Sequence, residues 1–165
     1  MQWIFRHAIL LFAALLPACE GSSSGPSTSP ATTTASPALR DIGPGPRIVS
    51  TVPAATLNLM LIGGDDRLVG ISRFDKIFLP ESEQDIPVAG DYEQVNYEQL
   101  VKLKPTVLII QQAPSRISDR LKEFVRDHQI ELLNMQFENV EDIWASAAAL
   151  GKASGRSTEA QNAIQ

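Results

Sequence analysis

Cysteine, histidine and clustered positive charge are all scarce in this chain of 165 residues. Its single cysteine, Cys19, cannot be half of an internal disulfide, so a disulfide-stapled fold is excluded. Only two histidines are present, His7 and His128, and no histidine or cysteine cluster has the spacing of a metal site. The formal net charge is -5, with acidic and basic residues interspersed and no basic block, which argues against nucleic acid as a partner.

Sequence motifs of catalysis are missing as well. No serine lies in a nucleophile-elbow pattern, and no glycine-rich phosphate loop follows a predicted strand. His128 falls near the end of a predicted helix, where a contact with the helix dipole is favoured over catalysis. Asp65 and Asp66 follow two glycines, a composition typical of a helix-to-strand turn. We therefore predict neither a cofactor nor a metal site.

The N-terminal apolar run, residues 8–16, is too short to span a bilayer, which takes about 20 residues. It has the flanks of a secretory signal, with a basic residue before it and small residues after it. The tetrapeptide Leu16-Pro17-Ala18-Cys19 resembles the lipobox of bacterial lipoproteins, although Pro17 departs from the usual residue. This resemblance implies that residues 1–19 are a lipoprotein signal peptide and that a lipid on Cys19 anchors the protein to a membrane. The alternative is an ordinary signal peptide with a chance cysteine.

Residues 20–46 are rich in serine, threonine, proline and glycine. Such a composition offers too little apolar surface to offset the entropy of ordering, so we expect a disordered tether. About 120 residues remain for the folded part, a size suited to one domain with one core.

The remainder alternates predicted strands and helices. Strands are predicted at residues 47–51, 68–72, 88–90, 106–110 and 131–135. Helices are predicted to begin at Thr56, at Asn96, at Ser115 or Ser118, at Asn139 and at Ser157, with Gly151 closing the fourth. Segment 106–110 is largely β-branched and uncharged, which is typical of a strand buried on both faces of a parallel sheet. We therefore predict an α/β domain with a Rossmann-like, mainly parallel sheet.

Ligands of open α/β sheets bind beyond the carboxyl ends of the strands, so the residues that follow each strand are the candidates for a binding site. These candidates are Pro53, Ala54, Arg73, Phe74, Tyr92, Gln111, Gln112 and Phe137. Together they offer aromatic faces for contact area and a few polar groups for orientation, as a sizeable organic ligand requires.

Glu98 lies in the first turn of the helix predicted after Asn96. The helix dipole favours a carboxylate there, which is a structural role. An exposed carboxylate on a rigid helix can also pair with an arginine of a partner protein.

Several spaced segments resemble the N-terminal lobe of class III solute-binding proteins, the cobalamin, iron-siderophore and haem receptors of bacterial ABC importers. They are the run from Arg47 through Pro53, Thr56 and Gly63, and the segments 68–71, 96–98, 103–105 and 107–110. Segment 150–156 is similar to the one that leads into the long interlobe helix of that family. The resemblance implies that residues 47–156 form the N-terminal lobe, that residues 157–165 begin the interlobe helix, and that the second lobe is absent from this chain.

The resemblance also implies a function, namely the substrate-binding component of an ABC importer, which captures a ligand and delivers it to the permease without catalysis. The ligand would be a metal chelate such as a ferric siderophore, cobalamin or haem, and Arg73 would suit an anionic one. Phe74 and Tyr92 match positions at which family members present aromatics to their ligand. Glu98 matches the family glutamate that docks into arginines of the permease. The protein would be exported to the periplasm or cell surface as a membrane-anchored lipoprotein.

Two other interpretations stay open. A small lipid-anchored α/β hydrolytic enzyme would use the same strand ends, with Asp91 and Glu93 as its acidic pair. An adhesion or scaffold module would bind no small molecule at all.

Overall fold

The sheet predicted from the buried apolar segments is present in the computed structural model, which describes residues 40–165. Its strands are β1 (Ile48–Ser50), β2 (Leu68–Ser72), β3 (Val88–Gly90), β4 (Val107–Ile110) and β5 (Glu131–Asn134). All neighbouring strands pair in parallel, in the spatial order β3-β2-β1-β4-β5. The predicted α/β fold with a parallel sheet is therefore confirmed. The predicted signal peptide, Cys19 and most of the predicted tether lie outside the described residues.

Five helices connect and flank these strands within residues 40–165. They are α1 (Pro53–Leu61), α2 (Tyr97–Leu103), α3 (Asp119–Asp127), α4 (Val140–Ser154) and α5 (Ser157–Ile164). Single 3-10 turns lie at Asp65–Arg67, Asp75–Ile77, Glu81–Glu83 and Pro114–Arg116. No helix in this part of the chain is both long and apolar enough to cross a bilayer.

The core is divided between the two faces of the sheet, because successive side chains of a strand point in opposite directions. In β4, Val107 and Ile109 pack into a cluster with side chains of α1, α4 and α5. Leu108 and Ile110 of the same strand pack with side chains of α2 and α3 on the other face. All four residues are at most 3% exposed, so β4 is buried on both faces, as its uncharged sequence predicts.

Three of the predicted helix caps are confirmed. Asn96 Oδ1 accepts a hydrogen bond from the Gln99 backbone N–H, and of the two serines considered for α3 it is Ser118 that forms the cap. Asn139 and Asp142 form a reciprocal capping box at the start of α4.

Thr56 does not cap the first helix, and that prediction is wrong. Helix α1 begins three residues earlier, at Pro53, whose fixed φ suits the first helical position. Thr56 is therefore inside the helix and fully buried, and its hydroxyl contacts other buried polar groups.

Gly151 does not close α4 as predicted, and Ser157 does not cap α5 with its side chain. Helix α4 continues to Ser154 and ends at Gly155, which has a φ of 76°. Gly151 lies inside the helix, and its lack of a side chain lets α5 pack directly on it: a Cβ there would lie 2.4 Å from the Cβ of Ala160.

Residues 40–46 are held against the amino ends of the strands. The Arg40 guanidinium forms two hydrogen bonds with the Glu83 carboxylate, at 2.7 and 3.1 Å, and a third with the carbonyl of Leu68 at the start of β2. Arg67 Nη1 donates to the carbonyls of Ile42 and Pro44. The chain thus enters the domain at the edge of the sheet opposite to the predicted binding loops.

Candidate functional site

The carboxyl ends of the five parallel strands lie along one edge of the sheet, and the predicted site residues follow them. Pro53 and Ala54 open helix α1 after β1, with Pro53 half-buried and Ala54 exposed. The loops after β2, β3 and β4 carry the residues that form the clefts described below. Phe137, after β5, is half-buried and packs against the core on the α1 and α4 side.

Phe74 and Tyr92 form an exposed aromatic pair at this edge. Their rings are stacked, with centroids 5.6 Å apart and an interplanar angle of 24°. Phe74 is 38% exposed and Tyr92 is 48% exposed. Two aromatic rings held together in water provide a rigid apolar surface, which is typical of a binding site for a flat organic group.

Arg73 and Asp91 form an ion pair beside these rings. Arg73 Nε lies 2.8 Å from Asp91 Oδ2, and the Asp91 side chain is 9% exposed. The other oxygen, Asp91 Oδ1, accepts hydrogen bonds from the backbone N–H groups of Glu93 and Gln94, each at 2.9 Å. Arg73 is therefore partly neutralised, although its terminal nitrogens form no hydrogen bond within residues 40–165. Asp91 is committed to the turn after β3, which weakens its case as a catalytic acid or base.

Gln111 and Gln112 line a cleft of about 400 Å³ together with Tyr92 and the loop after β4. Asn134 fixes the backbone of Gln112 on both sides, accepting from its N–H at 3.0 Å and donating to its carbonyl at 2.8 Å. The Gln112 side chain donates to the Tyr92 carbonyl at 3.2 Å. This contact joins the loops after β3 and β4, while the exposed Gln111 remains available to a ligand.

Arg116 also lines this cleft, and the sequence analysis did not select it. It is exposed and ends a 3-10 turn that precedes helix α3. Unlike Arg73, it has no ion-pair partner within residues 40–165. The signal that could have identified it is an arginine in the loop after a strand that is buried on both faces.

The loop after β2 is held in place by a buried carboxylate. Asp75 Oδ2 accepts a hydrogen bond from the Ser72 backbone N–H at 2.8 Å, and the Asp75 carbonyl accepts from Phe78 and Leu79 at 3.1 Å. Burial raises the pKa of Asp75 well above that of an exposed aspartate. This residue positions the segment that presents Phe74.

A second cleft, of about 510 Å³, is also bordered by the segment after β3 and includes Glu98. Arg73, Asn96, Tyr97 and Arg120 are also among its lining residues. Glu98 is exposed in the first turn of α2, as predicted.

The structure thus brings the predicted residues of three loops together but not those of the other two. Phe74, Tyr92, Gln111 and Gln112 lie along the stacked pair and its adjoining cleft. Pro53, Ala54 and Phe137 line neither of the two clefts. Among the described residues, no three carboxylate, imidazole or thiol side chains are grouped so that they could hold a metal ion.

Comparison with known proteins shows which family the chain resembles. The family model for periplasmic binding proteins matches residues 48–165. No curated protein matches the chain. Among solved structures, the periplasmic vitamin B12 binding protein BtuF of Vibrio cholerae is 24% identical with a TM-score of 0.60, over 73% of this chain and 46% of that one.

Two other solved structures are similar to the same extent. The periplasmic heme binding protein HutB of Vibrio cholerae is 21% identical with a TM-score of 0.61, over 72% of this chain and 44% of that one. A periplasmic solute binding protein from Veillonella parvula is 25% identical with a TM-score of 0.59, over 72% of this chain and 38% of that one. The chain spans less than half the length of these three structures.

The family match and the shared fold agree with the spaced segments noted in the sequence. The predicted resemblance to class III solute-binding proteins is therefore confirmed. The chain belongs to the periplasmic binding protein family.

Proposed function

We propose that this protein is the substrate-binding component of an ABC importer, which captures a metal chelate and delivers it to the permease. The observation that carries this proposal is the exposed, stacked pair of Phe74 and Tyr92 next to an amide-lined cleft. Family membership and the fold shared with proteins that bind vitamin B12 or heme support it. The ligand class is a ferric siderophore, cobalamin or haem.

The ligand would rest on the carboxyl edge of the sheet. The proposed contact residues are Pro53, Ala54, Arg73, Phe74, Tyr92, Gln111, Gln112 and Phe137, with Arg116 as an addition from the structure. The aromatic faces would contact the planar part of the chelate, and the amides would orient it through hydrogen bonds. Residues 47–156 would be the N-terminal lobe and α5 the start of the interlobe helix, so that a second lobe closes the site from the other side.

The ligand-binding proposal is tested by titrating the full-length protein with cyanocobalamin, haemin and a ferric siderophore, using calorimetry or quenching of intrinsic fluorescence. We expect one of them to bind, and we expect Phe74→Ala and Tyr92→Ala each to weaken that binding at least tenfold, which is about 1.4 kcal/mol. Phe78→Ala is the matched control, because Phe78 is 37% exposed but lines neither cleft. Flat titrations with all three chelates, or equal losses in the control, would count against the proposal.

The affinity for an anionic chelate would distinguish the roles of Arg73 and Arg116. Because Asp91 partly neutralises Arg73, we expect Arg116→Ala to lower the affinity more than Arg73→Ala. If the affinity is unchanged in both variants, neither side chain recognises the charge of the ligand.

Delivery would depend on Glu98 docking to a basic residue of the permease. We expect Glu98→Ala to weaken binding to the permease complex while leaving chelate affinity unchanged. A matched loss of chelate affinity would instead place Glu98 in the ligand site.

Membrane attachment would depend on a lipid at Cys19, following export to the periplasm or cell surface. Mass spectrometry of the mature protein would detect the acylated residue, and we expect Cys19→Ala to release the protein from the membrane fraction. A mature N-terminus at another position would exclude the lipoprotein assignment.

A further inference from the structure

Two oppositely charged side chains in the second cleft have no ion-pair partner within residues 40–165. Glu98 lies in the first turn of α2, and Arg120 lies in the first turn of α3. Both side chains are exposed and line the cleft of about 510 Å³. The ion pairs of the described region involve other side chains, and these two do not pair with each other.

The Arg120 guanidinium is held in place by an aromatic ladder. Its Cζ lies 4.3 Å from the centroid of the Tyr97 ring, over the ring face. The Tyr97 ring meets Phe124 edge-on at 5.1 Å, and Phe124 stacks on His128 at 4.1 Å. The ladder joins α2 to α3, so the contact with Tyr97 restricts the positions of the Arg120 guanidinium relative to α2 before any partner binds. A side chain that is already ordered loses less rotamer entropy on binding.

The presence of both a positive and a negative side chain limits the kinds of partner that could bind in this cleft. Arg73 also lines this cleft, but it is paired with Asp91, so Glu98 and Arg120 are the two charges there without an ion-pair partner among the described residues. A small ion would satisfy only one of these two opposite charges. A polypeptide surface that carries a basic and an acidic side chain satisfies both charges at once. Arginine is enriched in protein interfaces, and complementary charges set the orientation of the partners.

We propose that Arg120, positioned by Tyr97, is a second docking contact of opposite sign to Glu98. The cleft would recognise a permease segment that presents one basic side chain to Glu98 and one carboxylate to Arg120. This inference rests on the proposed function, since it assumes that the partner is the permease. It adds that the two charges set the orientation of the docked permease. If the two charges on this surface were exchanged, each would face a permease side chain of the same sign.

The test measures binding of the full-length protein to the reconstituted permease and ATPase complex in lipid nanodiscs, with chelate affinity measured separately. We expect Arg120→Ala to weaken complex formation at least tenfold and to leave chelate affinity unchanged. The double variant E98R/R120E, in which the two charges are exchanged, should bind the complex no better than Arg120→Ala does. Arg126→Ala is the matched control, because Arg126 is exposed on the same helix and pairs with Asp127.

The Tyr97 ring gives a second readout. Tyr97→Phe keeps the ring face and should bind the complex as the wild type does, whereas Tyr97→Leu should weaken binding several-fold. Thermal melting of each variant checks that it is folded, and Arg120→Ala carries the test if Tyr97→Leu does not fold.

The outcomes separate this inference from the proposed function. If the wild type binds neither chelate nor complex, the proposed function fails and this inference fails with it. If the wild type binds both and Glu98→Ala weakens docking, but Arg120→Ala behaves as Arg126→Ala does, only this inference is overturned. If Arg120→Ala lowers chelate affinity in the absence of the permease, the cleft belongs to the ligand site and the docking role is wrong.

Discussion

The Thr56 hydroxyl donates a hydrogen bond to Asp75 Oδ2 over 3.0 Å, and this contact links helix α1 to the loop after β2. Both residues are fully buried. Asp75 Oδ1 has no hydrogen-bond partner among the described residues. Burial raises the pKa of Asp75 from 3.8 to about 6, against the opposing effects of the Ser72 and Thr56 hydrogen bonds and the Lys76 charge.

The raised pKa of Asp75 predicts a pH-dependent stability. The folded state binds the proton more tightly than the unfolded state, so the contribution of Asp75 is greatest below its unfolded pKa of 3.8 and is lost as pH rises through about 6. At about 1.4 kcal/mol per pKa unit, the change is on the order of 3 kcal/mol. We expect the free energy of unfolding of Asp75→Asn, which does not titrate, to lack this component. Urea unfolding of both proteins between pH 4 and 7 checks this, and parallel pH profiles would contradict it.

Thr56→Val should destabilise the protein more at pH 7 than at pH 4. The substitution removes a donor to a buried carboxylate, and an unsatisfied buried group costs about 1–3 kcal/mol. The loss should shrink at low pH because the protonated carboxyl depends less on that donor. Thr56→Ser keeps the hydroxyl and is the control in the same unfolding experiment. An equal loss at both pH values would mean that only packing is affected.

Gly151→Ala should destabilise the protein although alanine favours helices. The new Cβ would lie 2.4 Å from the Ala160 Cβ and 3.0 Å from the Arg156 carbonyl oxygen, so α5 would have to move. We expect a loss of about 1–3 kcal/mol in the free energy of unfolding, which outweighs the helix propensity gain of about 1 kcal/mol.

Gly155→Ala provides the comparison for Gly151→Ala, because its Cβ meets open space but its φ is 76°. Its cost should be about 1–2 kcal/mol, from the left-handed backbone alone. Urea unfolding measures both variants, and a Gly151→Ala protein as stable as the wild type would show that α4 and α5 pack less closely.

Arg40→Ala should loosen the segment at the amino edge of the sheet. Glu83 would lose both hydrogen bonds of the fork formed by the Arg40 guanidinium, while its side chain remains only 12% exposed. We expect a loss of about 1 kcal/mol, since Arg40 is partly exposed and solvent screens the pair. Limited proteolysis should cut residues 40–46 faster in the variant. Unchanged cleavage and stability would mean that the fork contributes nothing measurable.

The sequence was sufficient for the elements whose signals are local. The uncharged segment at 106–110 predicted a strand buried on both faces, and β4 has both faces covered. Asn96 and Asn139 predicted helix starts, because a cap acts on backbone groups within one turn. Thr56 misled for the same reason: a threonine after a proline matches a cap locally, but its hydroxyl contacts Asp75 from another loop.

Strand order along the chain and the resemblance to class III solute-binding proteins were determined by the sequence by itself, because periodicity, caps and spaced motifs depend on near neighbours. Which strand-end residues meet was decided only by the tertiary structure. The order β3-β2-β1-β4-β5 places the loops of β2 and β3 side by side, where Arg73 finds Asp91 and Phe74 stacks on Tyr92. The packing of α2 beside α3 likewise brings Glu98 and Arg120 into one cleft. Such contacts join residues far apart in the chain, and no local pattern encodes their distance.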